Sequence, residues 1–84
     1  MRVEVRTQAE FDAALTAGNT AVCVSGDFSL VTTGAQAPEI VLFAAANLRV
    51  EAWGSSRPSV VAWGSSQPSV EARESSQPRV VARG

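Results

Sequence analysis

The sequence predicts an all-β chain, a short β-solenoid of two-sided, 20-residue coils with one N-terminal capping α-helix. Three observations predict it. The second half of the chain repeats with a period of ten residues. Each repeat alternates apolar and polar side chains at the period of a strand. A helix-capping box near the start precedes one short amphipathic segment.

In register, the repeats read VEAWGSSRPS from Val50, VVAWGSSQPS from Val60, VEARESSQPR from Val70 and VVARG from Val80, with no insertion. Val50, Val60, Val70 and Val80 share one face with Ala52, Ala62, Ala72 and Ala82. The opposite, outward positions carry Glu51, Val61, Glu71 and Val81, then Trp53, Trp63, Arg73 and Arg83. Helix is excluded, because Pro58, Pro68 and Pro78 would break it every ten residues. The Gly-Ser-Ser-x-Pro stretches read as turns, with the prolines at corners or first strand positions, where a missing N–H costs nothing. The outward Glu/Val alternation has a period of twenty. It predicts two repeats per coil, with Trp53 over Arg73 and Trp63 over Arg83. A triangular coil of three repeats is the alternative.

The N-terminal part, residues 1–47, reads as a cap followed by irregular coils, and residues 48–84 as regular repeats of the same single domain. In Thr7-Gln8-Ala9-Glu10, Thr7 is the N-cap and Glu10 the N3 partner. Phe11, Ala14 and Leu15 form an apolar stripe and Gly18 a C′ residue, which predicts a helix over 8–17. Such a helix is too short to stand alone. It must dock, and the first coil of a solenoid offers an end that needs covering. Strands are predicted at 2–5, 20–24, 28–31, 39–43 and 48–52. Turns are predicted at Ser25-Gly26-Asp27 and from Thr32 to Pro38.

An initial strand, the helix Ala-Glu-Phe-Asp-Ala-Ala-Leu, and Gly18-Asn19-Thr20 leading into strands resemble the start of right-handed β-helix proteins. The Ala-Trp-Gly-Ser-Ser-Gln-Pro-Ser-Val units resemble decapeptide-repeat solenoids of actinobacterial and phage proteins. The resemblance spans Val3 to Gly84 and implies a fold, not an activity. The Asp and Arg clusters of pectin-degrading β-helix enzymes are absent.

Composition narrows the function. Aromatics make up 6% of the 84 residues and Tyr is absent, so the apolar mass is Val and Ala, suited to a narrow core. A net charge of −1 argues against nucleic acid and anionic membranes as partners. There is no His and one Cys, Cys23, so the usual zinc sites and His-based catalysis are excluded. No catalytic residue, metal, cofactor or small-molecule ligand is expected. The N-terminus is too polar for a signal peptide and no apolar run approaches a membrane span, which predicts a cytoplasmic location.

The candidate surface is therefore an interaction surface. It comprises Trp53, Trp63, Arg73 and Arg83 on the outer faces, and Val80, Val81 and Ala82 in the last repeat. That repeat carries no helix, Pro or charge cluster to blunt its edge, which predicts a homodimer joined through the C-terminal coil. The expected role is a structural or self-assembly module, a stalk or spacer. The alternative is a binding module that presents the Trp/Arg faces to a protein, glycan or nucleic acid.

Overall fold

A computed structural model describes residues 1–83. It contains β1 (Arg2–Val5), α1 (Gln8–Thr16), β2 (Thr20–Thr32), β3 (Glu39–Ala52), β4 (Ser59–Trp63), β5 (Gln67–Ala72) and β6 (Arg79–Arg83). The fold is all-β but for one short helix. Every strand pairing among the described residues is parallel. Gly84, the last residue of the repeat, lies outside the described residues.

The registers show how the sheet is built. From Ser25 onward, each pairing joins residues twenty apart, for example Phe28 with Leu48, Val50 with Val70 and Val60 with Val80. No pairing has the offset of thirty that three repeats per coil would require. The long β3 serves two neighbours. Its first part, Glu39 to Leu42, pairs β4, and its second part, Asn47 to Ala52, pairs β5. Ile40 and Leu42 from the first part and Leu48 and Val50 from the second meet in one buried cluster with Val60 and Ala62. The sheet therefore turns back on itself around a single core.

Side-chain size tapers along that core. One inner column runs Phe28, Leu48, Pro68, and another runs Leu42, Ala62, Ala82. Large residues sit next to α1, while Val, Ala and Pro fill the repeats. Two expectations change here. Ser25-Gly26-Asp27 is not a turn that ends a strand, because β2 runs through it, with a register shift between Cys23 and Ser25. Gly26, at φ 105°, supplies the bend, and a Cβ there would lie 3.2 Å from the Arg6 carbonyl oxygen. Likewise 39–43 and 48–52 are one strand, bent rather than broken.

The serine pairs divide their work, which composition alone does not reveal. The first serine stays in the turn, where the Ser55 and Ser75 hydroxyls donate to the Gly34 and Gly54 carbonyls at 3.2 Å. The second points inward. Ser56 is fully buried and its Oγ accepts from the Thr32 hydroxyl at 2.9 Å. Pro58 is fully buried as well, so the Ser-x-Pro segment is core lining rather than corner alone. Pro68 lies inside β5, as its second residue.

One position of the turn requires a left-handed backbone. Gly54 has φ 68°, and a Cβ on it would sit 3.1 Å from the Gly34 amide nitrogen of the rung above. The equivalent residue one rung on is Glu74, with φ 59°. An L-residue pays roughly 1–2 kcal/mol there. Replacing Glu74 by Gly is expected to raise stability by about 0.5–1 kcal/mol, after the entropy lost by the unfolded glycine. The check is a higher urea midpoint with an unchanged m-value.

Candidate interaction surfaces

The two ends of the sheet differ because different elements occupy them. At the N-terminal end, β1 pairs only Thr20 to Cys23 of β2. The rest of β2 would be a bare edge, and α1 lies beside it. Phe11 is fully buried, its ring 5.2 Å from that of Phe28. The Gln8 amide does a missing strand's work. Its Oε1 accepts from the Ser29 amide at 2.8 Å and its Nε2 donates to the Ser29 carbonyl at 2.9 Å.

The helix itself is fixed as the capping box predicts. Thr7 Oγ1 accepts from the Glu10 amide at 3.2 Å, and Glu10 Oε1 accepts from the Thr7 amide at 3.2 Å. The Arg6 amide, donating at 2.8 Å, holds the Glu10 carboxyl below its ordinary range. Cys23 is fully buried, and burial pushes its thiol up to about 12, so it is packing rather than a nucleophile.

At the C-terminal end no described element covers β5 or β6. Burial along equivalent columns records this. Val60 and Ala62 are buried, whereas Val80 is 43% exposed and Ala82 is exposed. Val50 and Ala52 are buried, whereas Val70 is half-buried and Ala72 is exposed. Val81, on the outer side, is half-buried. The last rung thus presents inner apolar side chains together with unpaired strand edges.

The outer Trp/Arg pairs meet as the twenty-residue period places them. The Arg73 guanidinium lies over the Trp53 ring, 5.0 Å from its centroid, and Arg83 lies 5.6 Å from that of Trp63. The surroundings differ. On the Trp53 side, Glu51 and Glu71 are register partners, and Arg73 offsets their repulsion. Its Nε is 3.4 Å from Glu51 Oε1, and its Nη2 bonds Glu71 Oε1. Trp53 Nε1 donates to Glu51 Oε1 at 2.8 Å. Such part-exposed pairs are worth about 0–1 kcal/mol each, so the cluster fixes side chains more than it stabilises the fold. On the other side Val61 and Val81 replace the carboxylates, and Trp63 remains 41% exposed.

Nothing here assembles chemistry. Among the described residues no group of three His, Cys, Asp or Glu side chains could hold a metal. The largest groove, about 670 Å³, lies between α1 and the turn before β3, with Leu15, Leu30, Val31, Gln36 and Pro38 in its walls. Asp12 and Glu39 are its only titratable side chains, with no nucleophile between them. No helix is long and apolar enough to cross a membrane. Comparison with known proteins finds no family model, no curated protein and no solved structure that matches this chain. Function must therefore be argued from the surfaces themselves.

Proposed function

We propose that the chain is a short two-sided β-solenoid with two repeats per coil, serving as a structural assembly module that associates with a second copy through its C-terminal coil. The uniform offset of twenty and the single core support the solenoid. The difference between the two ends carries the function. One end is covered by α1, and the other leaves Val80 43% exposed at a position where Val60 is buried. An open parallel edge beside exposed core side chains is a template for pairing. A decapeptide-repeat solenoid with a helical cap, as the sequence resemblance implies, fits this role as a stalk or spacer. The module works without catalysis, cofactor or metal, in the cytoplasm.

Val80→Arg tests the reading. It places a charge on the open column without touching the buried rungs. Static light scattering of the whole chain at micromolar concentration is expected to give a dimer, and a monomer for Val80→Arg. A monomeric unmodified chain throughout that range overturns the proposal.

The alternative is a binding module using the outer aromatic faces, and the exposure of Trp63 is the observation in its favour. Against it, both rings already stack with guanidinium groups of their own chain. Replacing Trp53 and Trp63 together separates the two: ligand capture lost with assembly intact would favour binding.

A further inference from the structure

Resting on the association proposed above, we infer that the joint is a closed two-fold in which β5 of one copy pairs antiparallel with β6 of the other, held in register by Glu71 against Arg79 and Arg83. The closure follows from the cap. Head-to-tail stacking would need a second open end, and α1 and the Gln8 amide occupy it. With one adhesive end per chain, only an isologous contact is available, and assembly stops at two.

A two-fold turns the incoming coil over, so strands across the joint run antiparallel. Two arrangements are possible. An axis across the two layers sets β5 on β5 and β6 on β6. An axis along the strands sets β5 on β6, twice. The charges of the outer rows decide between them. Beside β5 the outward residues are Gln67, Ser69 and Glu71, and Arg73 turns back onto Trp53 and Glu51 of the preceding rung. On β6 they are Arg79, Val81 and Arg83.

Like-on-like pairing would place Glu71 near Glu71 and the arginines near the arginines. The crossed pairing places each Glu71 against the arginine-bearing strand of the partner subunit. Like charges opposite one another across strands destabilise and opposite charges stabilise. The inner columns tolerate either choice, because Val70, Ala72, Val80 and Ala82 are all small and apolar. Electrostatics alone therefore selects the crossed joint.

The test is a charge-swap set on the whole chain: Glu71→Arg, Arg79→Glu with Arg83→Glu, and all three together. Sedimentation equilibrium gives each dimer dissociation constant. The unreactive Cys23 thiol and the far-ultraviolet circular dichroism report that each variant is folded. Each partial swap is expected to weaken the dimer by about tenfold or more, and the full swap to return to within about threefold of the original. An equimolar mixture of the two partial swaps is expected to form heterodimers. If all variants dimerise alike, or the full swap fails to restore the dimer, the crossed joint is wrong while association stands. If the unmodified chain never dimerises, the association reading itself fails.

Discussion

Replacing Phe11 by alanine is expected to cost about 3–5 kcal/mol and to open the N-terminal end of the sheet. Phe11 is fully buried against Phe28, which is itself 3% exposed, in the widest layer of the core. A cavity there cannot collapse easily, because its floor is strand backbone fixed by the ladder. For a domain of 84 residues the loss is comparable with the whole stability, about 4–13 kcal/mol at typical values per residue. The second consequence is a change of association. Once α1 lifts, β2 loses the Gln8 pairing at Ser29, and the chain has two adhesive ends. Growth beyond the dimer is then expected, visible in light scattering as mass that rises with time. A Phe11→Ala chain as stable as the original would contradict the capping role.

Ile40→Ala and Val80→Ala probe one column of the core two rungs apart, with Val60 between them. Ile40 is 1% exposed and its truncation is expected to cost about 2–5 kcal/mol. Val80 is 43% exposed, and its truncation is expected to cost less than about 1 kcal/mol at concentrations where the chain is monomeric. Under dimerising conditions the Val80 cost rises, since the joint buries that side chain. Urea denaturation at two protein concentrations measures both. Equal costs at Ile40 and Val80 would mean that the last rung is covered within the chain itself.

Much of this architecture is legible in the sequence because the repeat is a physical record of the ladder. Val50, Val60 and Val70 recur because each occupies the same inner column type, and Glu51 and Glu71 recur at twenty because they are neighbours in space. The capping box was equally readable, since Thr7 and Glu10 satisfy each other's amides locally. What escaped depends on contacts with no local signature. Ser25-Gly26-Asp27 has turn chemistry, yet ladder pairing on to Ala45, Ala46 and Asn47 keeps it in the strand. Gln8 looks like an ordinary helix-surface residue, and only the bare edge at Ser29 gives it a task. The inward serines and prolines read as loop because composition does not report which way a side chain faces. Buried Ser56 could have been suspected only from the strict period-2 continuation of Val50 and Ala52 through the turn to Pro58 and Val60. As for the surfaces, the Trp/Arg pairs followed from the period alone, whereas the inequality of the two ends required the burial of each rung.

The central claim is that neighbouring rungs lie two repeats apart, and nuclear Overhauser contacts between backbone protons of adjacent strands measure it directly. Specific labelling of the valines resolves the repeats. Contacts are expected between Val50 and Val70 and between Val60 and Val80, at the strand spacing of about 4.8 Å. Contacts instead between residues ten or thirty apart, such as Val50 with Val80, would contradict the two-sided coil and every inference drawn from its two ends.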